Sequence, residues 1–284
     1  MPLSYLVIFL GVLSVSFASI LVKLSTAEPL VVAFYRLAFS VAVLGIPLLC
    51  NKQDRISRGD RWLSIASGLL LATHFATWFF SLRLTSIASS TILVSTHPFV
   101  VLAVNYFVRG ERTTGAALFG VLLTVVGIGL VGWGDFGLDS RALLGDALAL
   151  VGAVTVGGYF LIGREVRKRV GAVTYSATTY ASASVALLLT ALAWGSPFTG
   201  FAAVNWWIFL ALAVFPTLFG HTLFNWALKY VPASVVSVNI LGEPIGASLL
   251  AWLIWRTAPG GMTLLGSLLV LIGIGMFIRF HHGD

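Results

Sequence analysis

At 284 residues with a formal charge of +7, the chain is 58% hydrophobic and only 10% charged, far below the roughly 25% charged residues of an ordinary soluble protein. So little charge would leave contiguous apolar patches facing water, which excludes a soluble monomer. The basic excess falls in short gaps between apolar runs, where membrane proteins keep it, so it does not argue for a nucleic-acid partner.

A membrane helix needs about 20 apolar residues, and ten runs qualify in chain order. The first covers 4–23; it has no Lys or Arg ahead of it, unlike a secretory signal, and reads as a helix that is kept. Then come 29–49, 61–82, 86–108 and 114–133, followed by 142–163, 172–193, 204–227, 232–254 and 262–280. Backbone groups in lipid must bond within their own segment, so these runs are helices and the class is an all-α integral membrane protein. The gaps are too short for a soluble domain, and no Walker-type phosphate loop is present. One cysteine, Cys50, excludes an internal disulfide framework.

The gaps are asymmetric in charge. Lys52, Arg55, Arg58, Arg61, Arg109, Arg112, Arg164, Arg167, Lys168, Arg169, Lys229 and Arg279 fall on one side, and Lys23, Arg83, Arg141 and Arg256 on the other. The positive-inside rule then makes both termini cytoplasmic, in agreement with an even number of spans.

The halves repeat. Shifted by 146, "GVLLTVVGIGL" (120–130) lies on "GSLLVLIGIGM" (266–276), Pro98 on Pro244 and Arg83 on Lys229. Shifted by 141, "GVLSVSFASILVK" (11–23) lies on "GAVTVGGYFLIGR" (152–164). This predicts two five-helix repeats, 1–137 and 138–284. An odd number of helices per repeat inverts the second relative to the first, an arrangement typical of alternating-access transporters. The glycine faces at 120, 127, 266 and 273 suit close helix approach, within the chain or between two copies.

The repeat also pairs His97-Pro98 with Glu243-Pro244. A proline inside a helix removes one donor and clashes with the carbonyl four residues back, here Val94 or Ile240, so a kink and a cavity are expected at both places. Ionisable groups within spans are costly and face a bundle interior or wet cavity. His74 and Trp78 share a helix face, and His221 and Asn225 repeat their spacing in the second half. A bound zwitterion would find partners for its ammonium in Glu243, Asn225 and freed carbonyls, and for its carboxylate in histidines or Ser95. The candidate substrate-binding residues are therefore His74, Trp78, Ser95, His97, His221, Asn225 and Glu243, with Pro98 and Pro244 as kinks. The alternative is that these groups simply tie helices together. Arg36, within the second span, is expected to snorkel to the headgroups, or else to attract a substrate carboxylate. Tyr35, Tyr159 and Tyr180 are candidate cavity residues, and Trp206, Trp207, Trp252 and Trp255 interfacial ones. No HxxxH or CxxC spacing supports a metal site, and no cofactor is expected.

The strings "FYRLAFS" (34–40), "HPFVVLAVNYFVRGER" (97–112), "GHTLFNWALKYVPASVVS" (220–237) and "LGEPIGASLLAWL" (241–253) resemble the EamA-type transporters of the drug/metabolite transporter superfamily over nearly the whole chain. One departure is that "GER" closes the fourth span whereas "WRTAPGG" (255–261) follows the ninth, without a matching carboxylate for Glu111. The resemblance implies a ten-helix bundle in a bacterial cytoplasmic membrane that exports amino acids or similar small metabolites. Glu243 or a histidine would be the group to couple protons, and facilitated diffusion fits equally. A drug or nucleotide-sugar carrier of the same fold is the nearest alternative, and an intramembrane enzyme a more distant one, since no G-x-S-x-G nucleophile motif accompanies the polar groups. The oligomeric state is left open.

Overall fold

The computed structural model describes residues 2–50, 56–85, 87–110, 112–131, 140–256 and 260–280. Glu111, His281 and His282 lie outside them, as do Lys52 and Arg55. The described residues form helices in chain order: α1 Pro2–Val15, α2 Ala18–Leu24, α3 Pro29–Cys50, α4 Arg58–Leu84, α5 Ile87–Val94, α6 His97–Arg109 and α7 Gly115–Val131. The second half gives α8 Ser140–Val166, α9 Ala172–Trp194, α10 Ala203–Leu212, a π-helical segment Ala213–His221, α11 Thr222–Ala227, α12 Ala233–Ile240, α13 Glu243–Trp255 and α14 Gly261–Phe280.

These elements make ten membrane spans, each within a few residues of its expected bounds. Six are long and apolar enough to cross a bilayer by themselves, and shorter apolar helices supply the rest. The first span is α1 with α2, interrupted at Ser16 and Phe17. The fourth is α5 with α6, the eighth α10 to α11 through the π segment, and the ninth α12 with α13.

The expected kinks at Pro98 and Pro244 are therefore full breaks. Each proline is the second residue of a new helix, where its missing N–H costs nothing. His97 and Glu243 thus stand at the N-termini of half-helices, rather than on the flank of a bent one. The carbonyl of Val94 is not free either, because the His97 ring donates to it from Nδ1 at 3.1 Å.

Packing follows the repeat. The fifth and tenth spans, α7 and α14, lie along each other, and so do the second and seventh, α3 and α9. The third span packs on the sixth, α4 on α8. Exchanging the halves turns that pair into the eighth and first, and α1 indeed packs on the π segment and α11.

The α7–α14 seam depends on missing side chains. A Cβ on Gly120 would fall 2.7 Å from Gly273 O, and one on Gly127 2.7 Å from Gly266 O. The glycine faces are consumed inside the chain, not held open for a second copy. In lipid, where hydrophobic attraction between helices is lost, such close backbone approach supplies the packing.

Gly127→Val should destabilise the fold by about 1–3 kcal/mol through overpacking, seen as a lower thermal midpoint in detergent. Gly129→Ala, where nothing lies within 4 Å of the added carbon, should leave that midpoint unchanged.

Candidate functional site

The breaks and the π segment converge on one cavity between the halves. Its water-accessible volume is about 50 Å³, room for a few waters as it stands. His74 and Trp78 reach it from α4, Ser95 from the turn after α5, His97 from the start of α6, His221 from the end of the π segment and Glu243 from the start of α13. Val94 and Ile240, the residues four before each proline, also line it, with Val156, Phe160 and Phe224 as apolar wall.

Arg36 lines it too, and snorkelling is ruled out by its surroundings. The side chain is 1% exposed. Its Nε donates to Thr217 Oγ1 at 2.7 Å, and its guanidinium carbon sits 4.2 Å from the centre of the Phe75 ring. Above it, Tyr35 stacks on Phe209 at 5.0 Å and donates to Phe198 O at 2.8 Å. That aromatic plug closes the way to the headgroups and places Tyr35 away from the cavity. Arginine remains charged, yet Arg36 forms no ion pair among the described residues, and its Nη1 has no hydrogen-bond partner in the protein.

Thr217 holds Arg36 because the helix widens there. Pro216 cannot donate, and the Thr217 hydroxyl turns back to Leu212 O, five residues earlier, at 2.9 Å. The hydroxyl oxygen is left to accept from Arg36. Widened single turns of this kind recur at functional sites. The sequence contained two signals for this pair: Arg36 is the lone cation deep in a span, and Pro216 interrupts another.

The histidines are held differently. His74 Nδ1 lies 2.9 Å from Gly152 O. A carbonyl only accepts, so this nitrogen carries the proton and Nε2 is an acceptor. The ring also stacks on Trp78 at 5.7 Å, and Trp78 Nε1 has no partner. His221 is wedged edge-on between Phe75 and Tyr159, 5.4 and 5.9 Å away, with Nδ1 unpartnered.

Asn225 is not among the cavity residues, contrary to expectation. Its Oδ1 accepts from the Tyr159 hydroxyl at 2.6 Å, and its Nδ2 donates to Ser176 Oγ at 3.0 Å and Tyr180 at 3.4 Å. The amide is spent tying α11 to α8 and α9, and it takes Tyr159 and Tyr180 with it. One turn of helix separates Asn225 from His221, and both meet Tyr159, His221 against its ring and Asn225 at its hydroxyl.

Each membrane face beyond the cavity carries a polar cluster that joins the two halves. On the face opposite the termini, Asn205 Oδ1 accepts from Ser25 Oγ at 2.9 Å and Thr26 N at 3.0 Å, and Arg83 donates to Ser25 O and Ala27 O at 3.1 and 2.8 Å. On the face bearing the termini, Arg169 grips Asp60 at 2.7 and 3.0 Å, and Arg164 donates to Leu228 O at 2.5 Å. The two clusters use equivalent places: the loop after a half's first span, the end of one long span and the start of its partner. One is built on an amide, the other on an ion pair.

Asn225→Leu should take the acceptor from the Tyr159 hydroxyl, while Tyr180 keeps Thr222, and lower stability by about 1–3 kcal/mol. Glu243→Gln, at the cavity wall, should leave the thermal midpoint within about 0.5 kcal/mol of the parent. Thermal unfolding of both variants in detergent tests the contrast.

Comparison with known proteins agrees with this architecture. A solved crystal structure superposes with a TM-score of 0.81 over 97% of this chain and 98% of its own at 19% identity, which speaks to the fold alone. The pseudopaline exporter CntI of Pseudomonas aeruginosa is 24% identical over 85% of this chain and 83% of its own. An uncharacterized transporter of Clostridium kluyveri is 23% identical over 75% and 70%, and the uncharacterized transporter YoaV of Bacillus subtilis 21% identical over 95% and 96%. The model of the EamA-like transporter family matches twice, over residues 2–133 and 143–279. With both halves matched, the chain belongs to the EamA-like transporter family.

Proposed function

We propose that this transporter exports amino acids or closely similar small zwitterions across the bacterial cytoplasmic membrane, with both termini in the cytoplasm. The observation that carries the reading is a single cavity lined by a buried Arg36 with an unpartnered nitrogen and by Glu243, with no ion pair between them. Arg36 would receive the substrate carboxylate, with Trp78 Nε1 as a second donor. Glu243 and the His74 Nε2 acceptor would receive the ammonium, and Val156, Phe160 and Phe224 the side chain. Ser95, His97 and His221 complete the polar wall. The exporter CntI among the relatives supports the direction.

A nucleotide sugar would need several cations, and Arg36 is the single Lys or Arg among the described residues of the cavity wall. The two separate, opposite groups favour a small zwitterion, and suit a carrier better than an enzyme.

Alternating access would have the halves, 1–137 and 138–284, rock about the α7–α14 and α3–α9 seams, opening one polar cluster as the other closes. Protons are the candidate coupling ion, through Glu243 or a histidine.

Uptake of labelled amino acids into proteoliposomes, with and without a pH gradient, tests the substrate class. Saturable flux should fall about a hundredfold in Arg36→Gln and in Glu243→Gln, as expected when one partner of a buried charge is removed. Compounds lacking either the carboxylate or the amine should compete poorly. Equal competition by a decarboxylated analogue would sink the zwitterion reading. A second test labels Ser95→Cys in a Cys50→Ser background with an impermeant thiol reagent. Asp60→Asn should raise labelling from the face bearing the termini about two- to fivefold, the worth of a partly exposed ion pair, and Asn205→Ala should raise it from the other face.

A further inference from the structure

A second cavity of about 720 Å³ opens sideways from the bundle, remote from the site. Its floor is α9 and its walls are α3 and α4. α9 packs more closely against both walls than the walls pack against each other, so a trough remains along the seam. Small residues deepen it: Ala177 and Ala181 on the floor, and Gly45 on one wall, where an added Cβ would meet nothing within 4 Å. The two hydroxyls of the floor are already bonded to their own helix, Thr178 to Thr174 O at 2.8 Å and Ser182 to Thr179 O at 3.0 Å. Away from Arg61 the trough therefore offers no free side-chain donor, and hydrocarbon suits it.

Length and charge name the guest. The floor runs from Ala177 to Leu189, about 18 Å at 1.5 Å per helical residue. That is close to one leaflet, half of a hydrocarbon core about 30 Å thick. At the end on the face bearing the termini stands Arg61, which is exposed and lines the trough. Arg61 has no ion pair among the described residues, because the carboxylate beside it, Asp60, is taken by Arg169. Trp62, 62% exposed, sits at the same level, where indoles anchor at the headgroups.

From these features we infer a specific binding site for an anionic phospholipid of that leaflet, with one acyl chain in the trough and the phosphate on Arg61. The bound chain props α3 and α4 apart over α9. Those two helices carry Arg36, His74 and Trp78, so occupancy bears on the shape of the transport cavity.

The test is native mass spectrometry of the delipidated full-length protein titrated with phosphatidylglycerol or phosphatidylcholine of identical chains. One phosphatidylglycerol should be retained per chain at concentrations where phosphatidylcholine is not. Arg61→Ala should weaken retention about fivefold, the worth of one basic residue at a lipid surface. Ala181→Leu, which fills the trough while leaving Arg61 intact, should abolish it. Equal retention of the two lipids overturns the inference, as does undiminished phosphatidylglycerol retention in either variant. Two variants on different helices of the trough guard against one failing to fold.

Discussion

The structure around the cavity is organised by one constraint: a guanidinium that cannot lose its charge is held deep between helices, 1% exposed. Arg36 accepts this position because Phe75 offers its ring face and Thr217 an oxygen, neither of which neutralises the charge. Thr217 can do so only because the eighth span widens into a π turn at Pro216. An uncompensated cation in a low-dielectric interior raises the worth of any anion that enters. In the proposed reading Glu243, on the same wall but unpaired with it, would do the same for an entering cation, and the site would discriminate by requiring both charges of its ligand.

The repeat explains where the polar groups are, and its imperfections explain what they do. Half-helices begin at His97 in one half and at Glu243 in the other. Equivalent backbone features thus present a neutral imidazole-type group and a carboxylate to one cavity. The clusters on the two faces are equivalent in position as well, yet Asn205 serves one and the Asp60–Arg169 pair the other. An amide cluster is indifferent to salt, whereas a partly exposed ion pair is screened by it. Similar geometry with unlike chemistry lets two related conformations differ in energy.

Helix packing and the membrane are linked through the same elements. The α7–α14 seam is closed by glycine against backbone, so the two ends of the repeat are fixed to each other. Over α9, α3 and α4 leave a trough, and the lipid inferred to fill it would act on the helices that carry Arg36 and His74.

Much of the architecture was legible in the residues. Long apolar runs force helices, because lipid offers backbone groups no alternative partner. Glycines 120, 127, 266 and 273 in one register forecast the close seam, and the paired His-Pro and Glu-Pro steps pointed at a shared cavity. Three matters were decided only by tertiary structure. Pro98 and Pro244 each stand second in a new helix instead of bending a continuous one, and at the first the His97 ring takes up the Val94 carbonyl. Asn225 is spent on Tyr159, Ser176 and Tyr180 and not on the cavity, because those partners arrive from α8 and α9, which no periodicity within its own helix encodes. Arg36 stays inside, because its stacking ring, its hydroxyl partner and the plug above it come from α4, the π segment and α10. Sequence fixes which side chains each helix carries, but the partners of a buried charge come from distant segments, and only their packing determines whether it is held in or escapes.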